Sequence, residues 1–518
     1  MAPKLLILLS FMVVALAFAT QSAAALPPPT FTHGVASGDV TPISAVLWTR
    51  VAQSSSLTVE VSRNANFHSG VLRRSVEARA QDDFTVKAFV APLLPNSTYY
   101  YRFKRGSALS ETGTFRTAAW PFQAKDVRFA YSGDSDGAKV GGIPFFNNFE
   151  VLNAARAEDP DFFVYLGDTI YSDSSLRPAG PATTLDEYRS SYKDNREYQA
   201  LRDLMKATSV YAMWDDHEVQ NDYNGETVDD ARYANGTEAF LEYMPVLEIK
   251  LPDPACEHNP LFRVFRWGKD VEVIIPDVRS CRSADAAPAC VNEVAPGVFI
   301  PDLAPTLPSF LRPAFGLPAT PPAGCLDTIF DPDRTMLGNV QKRVLKAVLE
   351  HSNAKFKFIM NGVPIQQYYA LPYDRWEGYG AERNELLNFI RDKSIANVVF
   401  LTTDNHANFS NEVFIDRFAD PGTIAYDFVA GPIATFTLQQ EIEFFAASIG
   451  APPAALVASF NGALDLVGVD CRDLSQPAYG LVEIDASAGT ATVTFKDDTG
   501  ATILDQSTSA PCSKTLGP

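Results

Sequence analysis

The stretch Trp214-Asp215-Asp216-His217-Glu218 sets three carboxylates around an imidazole directly after the apolar run Val210–Met213. Like charges crowd this way only where water solvates them or where a cation makes the crowding favourable. The arrangement recurs along the chain. Asp134 and Asp136 follow RFAYSG, and Asp168 follows FFVYLG with Tyr171 three residues on. Asp277 and Arg279 follow VEVIIP, and Asp404 with His406 follows VVFLTT. Singly, each has an ordinary explanation: a turn after a strand, an acidic helix start, an Asp277/Arg279 ion pair, a packed histidine. Together, five strand ends deliver carboxylates to one architectural position, and two of them also deliver a histidine. Carboxylates brought to one crevice require cations, and oxygen-rich ligation with one or two imidazoles suits Ca²⁺, Fe³⁺ or Mn²⁺. No C-x-x-C pair supports a zinc-thiolate site.

Two kinds of element must position these residues. From about Phe31 to Ala118 short alternating strands (AVLWTRV, LTVEVSR, FTVKAFV, TYYYRFK, TGTFRTA) are separated by Pro, Gly, Ser and Asn clusters. That rhythm predicts a small β-sandwich of the fibronectin III type over residues 27–119, with a boundary near Ala119–Pro121. Beyond Val127 apolar runs alternate with helix-period stretches such as NVQKRVLKAVLEHS and AERNELLNFIRDK, which predicts a layered α/β domain over 121–510. Open α/β sheets bind ligands at the carboxyl ends of their strands, where the polar residues fall. The proline-rich stretch Ala287–Gly324 reads as a surface insertion stapled by cysteines.

Residues 1–25, with Lys4, an apolar core from Leu5 to Phe18 and a small-residue run ending Ala23–Ala25, read as a secretory signal. No later stretch is apolar enough to span a bilayer. An exported chain with six cysteines is expected to carry disulfides, and proximity favours Cys281 with Cys290, Cys471 with Cys512, and Cys256 with Cys325. Sequons begin at Asn96, Asn235 and Asn408. The net charge of −19 over 518 residues argues against a nucleic-acid-coating role. An anionic small-molecule substrate would need a local offset, which a bound metal supplies.

The segments GDTIY (Gly167–Tyr171), WDDHE (Trp214–Glu218), DVRS (Asp277–Ser280), MLGNVQ (Met336–Gln341) and TTDNHANF (Thr402–Phe409) resemble the motif series of the PhoD-like alkaline phosphatases. That family lies within the calcineurin-like metallophosphoesterases. PIQQYYALPYDRWEGYGAERNELL (Pro364–Leu387) and THGVASGDVTPISAVLWTRV (Thr32–Val51) extend the resemblance over nearly the whole chain past residue 31.

The resemblance implies a layered metallophosphoesterase sandwich and a phosphate ester hydrolase. It implies Asp168 as the metal-bridging aspartate, Tyr171 as a phenolate on ferric iron, Asp216, Asp404 and His406 as further ligands, and Asp134 or Asp136 as the ligand from the first catalytic strand. His217 would contact phosphate and protonate the leaving oxygen, with Asp215 or Glu218 orienting its ring, and Arg279 would assist. Two departures stand out. Many relatives place a cysteine after the first catalytic strand, whereas this chain has Ser132-Gly133-Asp134, which puts iron in question beside calcium and manganese. Relatives also often use a twin-arginine leader, whereas Lys4 is the one cation in residues 1–25, implying export before metal loading, to a periplasmic or extracellular location. Phosphate esters are the expected partners. A phosphodiesterase or phospholipase D-like activity is the alternative within the class, with specificity around Tyr368–Glu377. A non-catalytic calcium-binding adhesion protein is the alternative outside it.

Overall fold

The computed structural model describes residues 30–295 and 297–517, so the expected signal at residues 1–25 lies outside the described residues. Phe162–Tyr165 is buried along its whole length, the mark of a strand covered on both faces rather than on one. It pairs in parallel with Val127–Ser132 on one side and Ser209–Ala212 on the other. These three strands form the centre of a nine-stranded sheet. A second sheet of seven strands carries its own parallel run: Val271–Ile275, Phe356–Met360, Val398–Thr402 and Ala425–Val429.

The two sheets face one another across a core that includes Phe129, Phe162, Val164, Phe358 and Leu401. Phe129 stacks on Phe162 at 4.6 Å and meets Phe358 edge-on at 5.2 Å, closing the gap between the sheets. Helices cover the outer faces. Gln199–Ala207 buries Ala200, Leu201, Leu204 and Met205, a one-sided stripe at helical period. Asn339–His351 does the same against the other sheet with Gln341, Leu345 and Leu349 at four-residue spacing. Each such Leu contributes about 1.5–3 kcal/mol by leaving water. The order helix, sheet, sheet, helix is the layered α/β architecture that the sequence predicts. The strand ends, however, come from two sheets rather than one.

The N-terminal segment forms two β-layers whose last strand is Gly113–Arg116, and one of the layers is hydrogen-bonded into the larger domain. Ser55–Ser62, Leu72–Ala78, Thr98–Arg105, Ala108–Leu109 and Gly113–Arg116 make one small sheet. The other layer, Phe31–Gly38, Ala45–Val51 and Thr85–Val90, continues the nine-stranded sheet, with Ser37 and Gly38 in parallel register with Ser209 and Val210. Polar groups pin this join. Arg263 donates to Asp39 at 2.8 Å with both side chains buried, and Trp48 Nε1 donates to the Glu242 carbonyl at 2.8 Å. Asp83 accepts from Arg50 at 2.7 Å and from the Tyr243 hydroxyl.

The disulfides are Cys256–Cys281, Cys290–Cys325 and Cys471–Cys512. The expected Cys281–Cys290 and Cys256–Cys325 pairs are therefore corrected. Past Cys281 the chain is drawn away by the Ser283 N–H bond to the Thr335 carbonyl. Cys290 then sits at the base of the hairpin Val291–Ala295/Val298–Pro301 and closes the proline-rich excursion against the helix Cys325–Ile329. Of the sequons, Asn408 is buried with its amide on Asp473 and the Gln476 carbonyl, so it is not an accessible acceptor.

Candidate metal centre

The strand ends of both parallel runs converge, and the turns leaving them are unusual. Asp134, Asp168, Asp404 and His406 all have left-handed backbone, with φ of 60°, 47°, 70° and 50°. Non-glycine residues held there store strain of about 1–3 kcal/mol each, which persists only where surrounding structure imposes it. Glycines make room beside the carboxylates. A Cβ on Gly362 would lie 2.4 Å from Asp215 Oδ1, and one on Gly431 2.5 Å from Asp134 Oδ2.

Three groups of potential donors, each with ligand atoms within 4.8 Å of one another, form a chain: Asp134, Asp168 and His406; Asp168, Asp216 and His217; Asp216, Asp222 and Asp374. Asp168 belongs to the first two and Asp216 to the last two. Asp168 is 1% exposed, accepts one bond from the His217 backbone N–H at 3.2 Å, and pairs with no lysine or arginine among the described residues. Burial, then Asp216 and Asp215, holds its carboxyl well above the usual range. Burial pushes Asp134 up to about 6, against the pull of His406 and the Thr403 hydroxyl. Asp134 and Asp168, buried, without a lysine or arginine partner among the described residues and flanked by imidazoles, fit cations, since a metal reverses both penalties.

The imidazoles are held by other carboxylates. His217 Nδ1 lies 2.6 Å from Asp173 Oδ1, and its ring stacks on Tyr171 at 4.0 Å. Burial alone would lower the His217 pKa. Asp216, the Asp173 hydrogen bond and Glu218 outweigh it and raise it to about 10. His406 Nδ1 lies 2.8 Å from Glu441, and its Nε2 lies 2.9 Å from the Tyr171 hydroxyl. Tyr171 therefore stands at the first donor group and beside the second.

Asp215 and Arg279 occupy a different position from the one expected. The Arg279 guanidinium makes two bonds to Asp215, at 2.7 and 3.0 Å, and two to Asp374, both at 2.7 Å. Both Asp215 and Arg279 have fully buried side chains, so they brace the site from behind. Asp173, not Asp215 or Glu218, orients His217. Glu218 instead accepts from the Thr169 N–H and the Asp215 N–H, tying two strand ends together. Asp277 does not pair with the Arg279 side chain. It accepts the Arg279 and Ser280 backbone N–H groups at 3.0 Å and is a turn former. Asp404 lies beside the centre, its N–H 3.4 Å from Asp134 Oδ1, and falls outside the three donor groups. Asp136 is buried and accepts from the Ala138 N–H at 2.9 Å.

Around Tyr368–Glu377, the Glu377 carboxylate takes the Tyr368 and Tyr369 N–H groups, packing both rings, while Asp374 bonds Arg279 and Arg282. Asp173, Asp222, Asp374 and Glu441 carried no motif signal, because each stands in a loop or on a helix away from an apolar run.

Two sheets face to face, with an acidic, histidine-flanked centre at their strand ends, define a metallophosphoesterase-type protein. The comparisons with known proteins agree and are more specific. The PhoD-like phosphatase model matches residues 138–495, and the model of the N-terminal domain of PhoD-like phosphatases matches residues 17–119. The chain belongs to the PhoD-like phosphatase family. Alkaline phosphatase D of Bacillus subtilis (strain 168) is 28% identical over 427 residues, covering 74% of this chain and 66% of that protein, just under two thirds of its length. A solved structure of PhoD matches 95% of this chain and 94% of its own, with a TM-score of 0.73 at 20% identity. The purple acid phosphatase PPD1 from yellow lupin seeds matches 93% of this chain and 73% of its own, with a TM-score of 0.55 at 11% identity. At those identities the two structures speak to the fold.

Proposed function

We propose that this chain is an exported, metal-dependent phosphoric ester hydrolase that acts as a phosphomonoesterase. The observation that carries the reading is the chain of donor groups sharing Asp168 and Asp216, with His217 beside them and fixed by Asp173. Asp134, Asp168 and His406, with the Tyr171 oxygen, would hold one cation, and Asp216 with Asp168 or Asp222 would hold its neighbour. When bound, such cations neutralise phosphoryl oxygens and acidify water for in-line attack.

The protein's own groups do the rest. Asp173 fixes one ring nitrogen of His217, so the other, Nε2, can carry a proton to the departing oxygen as the phosphorus–oxygen bond breaks. The Tyr171 ring keeps the imidazole in plane for that transfer. Arg279 neutralises Asp215 and Asp374 behind the centre and leaves the phosphate to the metals.

The family's cysteine position is closed here. A Cβ on Gly133 would lie 2.9 Å from Thr403 Cγ2 and 3.0 Å from the Gly167 carbonyl, and none of the six cysteines is free. The donor set is then oxygen and imidazole, suited to Ca²⁺, Mn²⁺ or Fe³⁺ held without a thiolate. Export is supported by three disulfides and by the signal-like residues 1–25.

The test is elemental analysis of protein purified without added metal, with hydrolysis of matched aryl phosphate monoesters and diesters before and after chelation. Two or more metals per chain and a chelator-sensitive monoesterase are expected. Metal-free protein with undiminished activity would overturn the reading, and a strong diester preference would redirect it.

A further inference from the structure

A ladder of aromatic rings that the hydrolytic mechanism does not use is joined through the backbone to one side of the metal centre. Phe436 packs edge-on against Phe146 at 5.0 Å and against Phe444 at 5.0 Å, and Phe145 joins at 6.1 Å. The rings come from three segments: the turn after the hairpin Lys139–Val140/Ile143–Pro144, the loop 430–437, and the helix Leu438–Ser448.

Backbone bonds tie this ladder to the site. Ala434, two residues before Phe436, donates to the Asp134 carbonyl at 2.9 Å and accepts from the Asp136 N–H at 2.7 Å. Leu438, two residues after it, donates to the His406 carbonyl at 2.9 Å, and Glu441 on the same helix bonds His406. Phe436 is thus strung between the residues that would hold the first cation. On the hairpin, the turn after it and the helix, Val140, Ile143, Phe145, Phe444, Phe445 and Ile449 are each between 43% and 71% exposed. A cluster of this kind marks a binding surface rather than scattered surface hydrophobicity.

We propose that this ridge binds the hydrocarbon part of the substrate, so that the preferred ester is an amphiphile. Its phosphate sits at the metal centre, and its alkyl or aryl leaving group lies along Phe145, Phe436 and Phe444. The assignment rests on the phosphoester hydrolase reading. Continuity with the metal centre selects the substrate's own tail as occupant. The net charge of −19 opposes an anionic bilayer there.

The experiment measures kcat and KM for linear alkyl phosphates from propyl to octyl, all below their micellar concentrations, on the metal-loaded full chain. Phe436→Ala and Phe444→Ser are compared with the unsubstituted protein, with metal content as the control for an intact site. Burial of a methylene is worth up to about fourfold in binding, so KM should fall by about two- to fourfold per added carbon along the contacted length. In both variants that dependence flattens while metal content stays the same. Hydrolysis of every ester with no dependence on chain length, or a dependence that survives both substitutions, overturns the inference and leaves the hydrolase intact. Hydrolysis of no ester by metal-loaded protein would instead strike the underlying reading. A second arm presents octyl phosphate in zwitterionic vesicles. Faster turnover there than in free solution, with a flat response to chain length for free esters, would assign the ridge to a lipid surface and overturn the tail-binding role.

Discussion

His217 meets Asp173 across 44 positions of sequence, and on the proposed reading that contact would reserve the ring for proton donation rather than metal binding. Replacing Asp173 with Asn should lower kcat by about 10- to 100-fold, with metal content retained. The loss should be larger for alkyl phosphates than for nitrophenyl phosphate, whose leaving group needs no proton. Equal losses on both substrates would make Asp173 merely structural. Asp168→Asn is expected to remove both metal and activity, because that carboxylate belongs to two donor groups, and elemental analysis would read the change directly. Full activity in that variant would end the bridging role. Asp134, Asp168, Asp216 and His406 were legible from sequence because each follows an apolar run and so must sit at a strand end. Asp173, Asp374 and Glu441 were not, since their roles arise from how loops and a helix fold back over the centre. Asp215 and Arg279 were noticed because they follow apolar runs, but their burial and mutual pairing, which place them behind the site, are not visible in sequence.

At the scale of elements, the join between the N-terminal strands and the rest depends on buried charge. Removing the Asp39 carboxylate strands the Arg263 guanidinium, so Asp39→Ala should cost about 3–5 kcal/mol, readable by denaturant unfolding. Asp83 gives a pH signature. Burial would raise its pKa, but the Arg50 and Tyr243 bonds outweigh burial and lower it from 3.8 to about 2. The unfolded chain therefore binds the extra proton first as pH falls. The stabilisation is complete above about pH 4 and is lost as pH drops through about 2. At neutral pH it amounts to about 1 kcal/mol once solvent screening at this half-buried site is allowed for. Asp83→Asn should be less stable by that amount at pH 7, with the gap closing between pH 4 and 2. A gap constant with pH would remove the charge from the explanation. Helices such as Asn339–His351 were readable because a buried stripe repeats at their period. The composition change near Ala119 marks the end of the N-terminal strands but says nothing of their pairing with the larger sheet, because hydrogen bonding between strands crosses that boundary.

For the whole molecule, cations are expected to act as structural ligands as well as catalytic ones. Anything bound by the folded chain alone stabilises it, by about 2.7 kcal/mol at a hundredfold excess over Kd. Thermal unfolding should therefore shift upward with added calcium or manganese and downward on chelation. An unchanged Tm would mean that the carboxylate row is satisfied without metal.

The parallel register of Ser37 and Gly38 with Ser209 and Val210 also bears on the order in which the chain can be built. The first strand's inner edge has no partner until about 170 more residues have been made, a delay of roughly 9–34 s at about 5–20 residues per second. Throughout that interval the nascent N-terminal segment exposes backbone groups that invite the wrong neighbour. Vectorial synthesis thus leaves this protein dependent on whatever shields an open β-edge, and a circular permutant that begins near Val127 would bring the late partner out first.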